Sequence, residues 1–391
     1  VGTRRAATDC RWETKPGKDH CYPALLTISN HPETCDLSRF RFDLATPQDD
    51  AALCRLASSI PMNGRFAVSL RREPSFLDAT RVEGDFRQVL VCHDQQTHQI
   101  VAAGCRSIRD RYVNGRLQPV GYLSNLRIRE SFRSGSLLAR GYRQLKSLHA
   151  DGRTSLYLTT IAENNHEALE VLTRNRPGLP RYHPAGNLVT TVIPTLAKTK
   201  VSAEVESIKP AGPEDMDELV AFLCTHGPSR QFFPRIERHD LCGPGNQFHS
   251  LRSEDILVAR SRGEIIATMA CWDQRSFRQI VVERFPPLLH WTRPLVNAWA
   301  RLSGNVPLPK TGIPLNCALA ALLVVRDNCE EVLQSLIFAA RRQLLLRNID
   351  FLLVGLHERD PVLDTARRLA THEYCTHLFL ACWADGETLL N

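Results

Sequence analysis

Apolar and polar positions change period along the chain, and each change marks an element. In "SNLRIRESFRSGSLLARGYRQLKSL" (124–148), Leu126 and Ile128 alternate with Arg127 and Arg129, the period-2 pattern of a strand with one face buried. Leu138, Gly141 or Tyr142, Leu145 and Leu148 then recur every three to four residues, which is helical spacing. The two patterns meet in "RESFRSGS" (129–136), a basic, hydroxyl-rich turn holding one glycine.

The pattern occurs twice. "FDLATPQDDAALCRL" (42–56) resembles "IKPAGPEDMDELVAF" (208–222): a strand end, then Pro and acidic residues where a helix begins. Proline's missing N–H is not needed at that position, and carboxylates suit the positive helix end. "VLVCHDQQTHQIVAA" (89–103) and "ILVARSRGEIIAT" (256–268) both read as hairpins. "SLYLTTIAENNHEAL" (155–169) parallels "FLLVGLHERDPVL" (351–363), a buried strand and a helix start that sets Asn165 against Asp360. Three matched segments in one order predict a duplication. Each half is predicted to run strand, one or two helices, three strands, helix, strand, helix, strand. The predicted domains are 39–197 and 205–391, with a polar linker at 198–204 and an N-terminal extension over 1–38. An insertion at 285–312 is predicted to hold a short Trp-bearing helix between prolines.

At 391 residues, 43% hydrophobic and 23% charged, the chain can bury two cores of ordinary size. Its longest apolar run, "CALAALLVV" (317–325), is half of a membrane span, so no membrane partner is expected. Residues 1–20 carry arginines without the apolar stretch of a secretory signal. Thirteen cysteines without a single CxxC then read as reduced thiols of a cytoplasmic protein. Cys10, His20, Cys21, His31 and Cys35 match no compact zinc spacing, and no metal is expected.

The net charge of +7 is concentrated. Residues 105–153 carry eleven Lys/Arg against Asp110, Glu130 and Asp151, an excess of eight. Such a field favours a polyanionic partner, although a solvated basic face has the same composition. At the turn, the first N–H groups of a helix lack intrahelical partners and the helix dipole adds positive charge. Arg133 with the small Ser134, Gly135 and Ser136 would let a phosphate reach that backbone. The alternative is a polar turn in which Ser134 or Ser136 caps the helix.

This order of elements, with "LSNLRIRESFRSGSLLARGY" where the fourth strand meets the third helix, resembles the GCN5-related N-acetyltransferases in tandem. Ile128 and Arg133 take the first two places of that family's signature. Its glycine places fall on Ser136 and Leu138, and Gly135 sits one residue early. The resemblance implies an α/β fold of two mostly antiparallel mixed sheets flanked by helices, with acetyl-CoA as co-substrate. It implies that Leu126, Arg127 and Ile128 would pair with the pantetheine arm, and that Arg133, Ser134, Gly135, Ser136 and Leu137 would hold the pyrophosphate. Asn165, with Ala168 three residues on, matches the family's Asn at the next helix start, which hydrogen-bonds the cofactor's amides; capping that helix is its other role.

The family's usual base and acid have no counterpart. The strand offers Tyr122, Ser124 and Asn125 where a Glu is frequent, and Leu172 stands at the Tyr place. The catalytic residues are therefore unassigned, with Tyr157, Glu163 and Tyr182 as nearby substitutes that also have structural roles. Trp272, Asp273 and Arg278 read as structural. In the second half, "LLVVRDNCEEVLQSLIF" (322–338) sets Asp327, Glu330 and Glu331 where phosphates would sit, so that half reads as a degenerate copy. The expected activity is acetyl transfer from acetyl-CoA to an amine of a small molecule or peptide. An aminoacyl-tRNA-dependent peptidyl transferase is one alternative, disfavoured because no aromatics interleave the basic segment for stacking bases. A non-catalytic acyl-CoA sensor is another.

Overall fold

The computed structural model describes residues 39–61, 67–133, 136–196, 207–241, 247–303 and 306–390. The N-terminal extension with its Cys/His set and the 198–204 linker lie outside these residues.

The chain runs β1 (Phe40–Leu44), α1 (Asp50–Ser59), β2 (Ala67–Arg71), α2 (Phe76–Ala79), β3 (Phe86–Asp94), β4 (Gln99–Val113) and β5 (Arg116–Ile128). It continues through α3 (Leu137–His149), β6 (Tyr157–Ala162), α4 (His166–Thr173), β7 (Arg181–Pro194), β8 (Ser207–Pro210), α5 (Met216–His226) and α6 (Arg238–Leu241). It ends with β9 (Ile256–Ser261), β10 (Glu264–Trp272), β11 (Gln279–Arg284), α7 (Pro287–Ser303), β12 (Cys317–Val325), α8 (Glu330–Leu346), β13 (Phe351–His357), α9 (Leu363–Leu369) and β14 (His372–Cys382).

Local signals explain these elements. Both Pro-acidic segments start helices in the same way. The Asp49 carboxylate accepts from the Thr46 N–H at 2.8 Å, and Asp215 accepts from the Gly212 N–H at 2.8 Å. The β9–β10 hairpin turns on Arg262 and Gly263, both with positive φ (51° and 83°), as a tight two-residue turn requires.

One mixed sheet joins twelve strands in the order β1-β3-β4-β5-β6-β14-β7-β13-β12-β10-β9-β8. The order is the same when read from either end, with β14 and β7 at the centre. The last strand of each half sits among the strands of the other: β14 pairs with β6, and β7 with β13. Among the described residues only β5–β6 and β12–β13 are parallel. Both β5 and β12 also carry a bulge beside a positive-φ residue, Asn125 (55°) and Leu322 (50°), where the register against the neighbouring strand shifts. β11 does not join this sheet. It pairs antiparallel with β2 and ties the two halves again. The predicted run of three strands in the second half is thus β9, β10 and β12, and the predicted Trp-bearing helix is the 17-residue α7.

Helices cover both faces. Leu53, Leu56 and Ala57 of α1 pack on Val89, Val91 and Ala103, whereas Tyr142 of α3 and Leu172 of α4 pack with Leu123, Ile161 and Phe379. Leu333, Leu336, Ile337 and Leu344 of α8 form the corresponding core with Ile193, Ala267, Leu352 and Val354. Among the described residues no helix is long and apolar enough to cross a membrane.

Candidate active site

The strands β5 and β6 part company. They pair at Gly121–Tyr157 and Tyr122–Leu158, and no further pairing joins them beyond that point. Gly121 belongs at the first joined position because the Tyr157 ring lies over it. An added Cβ would stand 2.1 Å from the ring. Beyond Tyr122 the bulge at Asn125 turns β5 away, and the backbone of Leu123–Ile128 faces the gap.

A cavity of about 200 Å³ fills this gap. Leu126, Arg127, Ile128, Leu137 and Asn165 line it, with Tyr142, Leu172 and Tyr182 on the helical side. It continues under α3 past Gly104 and Leu145 to Leu148, a length of about 16 Å along the helix at 1.5 Å per residue. Most of that wall is apolar.

The residues anticipated at the site divide three ways. Leu126, Arg127, Ile128 and Leu137 surround one end of the cavity, at the start of α3. Arg127 Nε is buried there with no hydrogen-bond partner among the described residues, and burial followed by the nearby Arg72 charge depresses its pKa. Arg133 does not line the cavity: its Nε donates to the Ile128 carbonyl at 3.3 Å, and its guanidinium pairs with Glu167 at 3.0 Å. Ser134 and Gly135 lie outside the described residues. Ser136 occupies the N-cap position without a side-chain cap bond. Asn165 lines the cavity and also caps α4, its Oδ1 accepting from the Ala168 N–H at 3.2 Å.

Part of the basic excess around this turn is engaged internally. Arg106, almost fully buried, donates to Asp151 at 2.7 Å and to the Tyr157 hydroxyl at 3.0 Å. Arg140 donates to the Phe40 carbonyl at 2.6 Å. Tyr157 is thereby a structural side chain, held also by His149 at 2.9 Å. Glu163 is exposed.

Tyr182 does reach the cavity. Its hydroxyl and that of Tyr142 share one hydrogen bond of 2.5 Å. Burial pushes Tyr142 up to about 12 and Tyr182 well above its usual value, so both are protonated at neutral pH. Two hydroxyls sharing one bond leave one O–H free to donate elsewhere. Cys105 lines the cavity as well, but burial, reinforced by the Glu83 charge, raises its thiol to about 12 and removes it as a thiolate nucleophile.

Behind the bulge lies a group that sequence reasoning missed. Glu83 is buried, and its carboxylate accepts from Arg72 at 2.6 Å, Arg278 at 2.6 Å, the Ser124 hydroxyl at 2.8 Å and Asn125 Nδ2 at 3.2 Å. Burial pushes its pKa up, and the Arg72 and Arg278 guanidiniums outweigh that, leaving it below the ordinary glutamate value. Such a carboxylate is a weak base, so it braces Ser124 and Asn125 rather than abstracting protons. In the sequence it sits in the polar turn "RVEG" (81–84), where nothing marks it as buried. Trp272 is buried and donates to the His249 carbonyl, and Asp273 pairs with Arg275 at 2.7 Å.

The mixed sheet whose parallel strands β5 and β6 splay beside a bulge, capped by the start of α3, decides the architecture. The chain has the GCN5-related N-acetyltransferase fold. Solved structures of this fold match it over most of its length. The GCN5-related glucosamine N-acetyltransferase region of a fungal multi-domain GH3 β-N-acetylglucosaminidase matches at a TM-score of 0.57 and 13% identity, covering 87% of this chain and 38% of that one. The present chain thus spans about two fifths of that protein's length. Saccharomyces cerevisiae N-myristoyltransferase with bound myristoyl-CoA matches at a TM-score of 0.56 and 12% identity, covering 88% and 79%. A GCN5-related N-acetyltransferase from Sphaerobacter thermophilus matches at 0.53 and 13%, covering 88% and 95%. No family model and no curated protein sequence matches the chain.

The start of α8 follows β12, as the start of α3 follows β5. It carries Glu330 and Glu331, and Glu330 is bound by Arg368 and Thr365. Negative charge at a helix N-terminus suits the helix and repels a phosphate.

Proposed function

We propose that the protein is an N-acyltransferase that moves an acyl group from acyl-CoA to an amine of a small molecule or peptide. One observation carries this reading: β5 and β6 separate beside the start of α3, and the gap is an elongated apolar cavity with Arg127 at its mouth. The parted strand edge offers backbone groups to an extended amide-bearing arm. Arg127, Arg133 and the α3 N-terminus offer positive charge to a pyrophosphate. The apolar wall under α3, from Gly104 to Leu148, favours acyl groups longer than acetyl, with acetyl-CoA as the shortest donor.

In the reaction the amine nitrogen bonds to the thioester carbonyl carbon, the C–S bond breaks, the nitrogen gives up one proton to become the amide, and the leaving thiolate takes one. The free O–H of the Tyr142–Tyr182 pair is the donor this chain offers for that proton or for the oxyanion. No carboxylate placed as a base is found among the cavity's lining residues, so the amine would enter deprotonated and positioning would supply much of the rate. The two halves are read as copies of one unit with exchanged last strands, and only the first keeps an anion-binding turn.

Calorimetry with acetyl-CoA and with longer acyl-CoAs tests the reading. The native chain should bind, and the double change Arg133→Glu with Ser136→Glu should weaken binding at least about tenfold, as expected for lost charge-assisted bonds. Equal affinity in both proteins would reject the turn as the pyrophosphate site. Binding without release of free CoA in the presence of amines would favour the sensor.

A further inference from the structure

The helix α7 turns an apolar face outward. Leu288, Trp291, Leu295 and Leu302 are 78%, 81%, 75% and 88% exposed, and Trp299 is 66% exposed. Their spacing of three, four, four and three residues places them along one side of the helix. Pro294 and Ala298, also exposed, fill the same side, so the apolar surface is continuous. At about 1.5 Å per residue the 17-residue helix gives a strip roughly 25 Å long.

The opposite side fastens the helix to the protein. Asn297 is buried, its Oδ1 accepting from the Leu308 N–H at 2.7 Å and its Nδ2 donating to the Leu308 carbonyl at 3.3 Å. Ala300 is buried beside it. The outward face is therefore a consequence of how the helix is anchored.

Charge identifies what this face meets. From Arg284 to Gly312 the sequence contains Arg284, Arg293, Arg301 and Lys310 and no Asp or Glu. Arg301, on the helix, and Lys310, shortly after it, are exposed. An apolar stripe bearing two tryptophans, in a segment whose charged residues are all cations, complements a surface with hydrocarbon below and negative charge above. We infer that α7 is an interfacial helix that docks the protein on an anionic lipid surface, lying in the plane of the headgroups without crossing the bilayer. The inference is independent of the acyltransferase reading.

Co-sedimentation of the full chain with vesicles of phosphatidylcholine, with and without phosphatidylglycerol, tests it. Binding should be at least about tenfold tighter when phosphatidylglycerol is present and should fall as salt shortens the reach of the charges. Trp291→Glu with Leu295→Glu should abolish it. Arg301→Glu with Lys310→Glu should weaken it about tenfold or more while leaving the apolar strip intact. Both double variants alter exposed side chains, so their unfolding midpoints and acyl-CoA affinities should match the parent's. Failure to sediment with phosphatidylglycerol vesicles, or equal sedimentation of all three proteins, overturns the inference. So does a concentration-dependent dimer that the first double variant dissolves while vesicle binding is absent, since a second copy would then be the occupant.

Discussion

Arg278 donates to the Glu83 carboxylate at 2.6 Å across 195 positions of sequence, and its Nε donates to the Ala79 carbonyl at 3.1 Å. A guanidinium from the second half thereby neutralises a buried carboxylate of the first. Because Glu83 also takes the Ser124 hydroxyl and the Asn125 amide, the contact fixes the bulge where β5 leaves β6. An arginine far along the chain thus supports the geometry of the gap between β5 and β6.

Replacing Glu83 by Gln should leave Arg72 and Arg278 without their counter-charge. Breaking a buried pair by removing one partner costs about 3–5 kcal/mol. Urea unfolding should show a loss of this size. Arg278→Met should cost less, because Glu83 keeps its contact with Arg72. Equal stability of Glu83→Gln and the parent would show that the cluster does not hold the fold.

The same carboxylate predicts a pH dependence. Its folded-state pKa lies below the ordinary value near 4.3, so it adds stability above that value and loses it as pH falls through the folded pKa. The gap in unfolding free energy between parent and Glu83→Gln should be constant from neutral pH down to about 5 and narrow at lower pH. Unfolding titrations of both proteins between pH 7 and about 3 would measure it. A gap that widens on acidification would contradict the assignment.

Asn165 separates capping from ligand contact. Asn165→Ala should cost about 1 kcal/mol through loss of the bond to the Ala168 N–H. Asn165→Asp restores a capping oxygen and removes the amide donor. The expected outcome is that Asp recovers the unfolding midpoint but not the acyl-CoA affinity. Recovery of both would leave Asn165 as a cap alone.

Hydrophobic period and helix-start chemistry carried much of the architecture in the sequence. The change from period 2 to period 3.6 around residue 133 located the junction of β5 and α3. The Pro-acidic segments at 47–50 and 213–215 located the starts ahead of α1 and α5, with equivalent aspartate caps. These signals are local: each depends on residues within a turn of one another, so the chain states them without reference to the rest of the fold. Leu126, Ile128 and Asn165 were legible at the cavity for the same reason.

Other features belonged to the tertiary structure. The pairing of β14 with β6 and of β7 with β13 follows from which edges are free to pair, and period 2 is the same for any partner strand. The pairing of β11 with β2 is likewise invisible in either segment. Glu83 reads as a surface turn residue, and only Arg72 at 11 positions and Arg278 at 195 make its burial tolerable. Arg133 lies in the basic turn, and Glu167 on α4 decides where its guanidinium rests. The face of α7 that meets solvent was decided by Asn297 gripping Leu308. The sequence by itself determined elements, their order and the basic turn. Burial of charge, strand exchange and outward faces depend on free energies set by distant neighbours, and only the assembled fold brings those neighbours together.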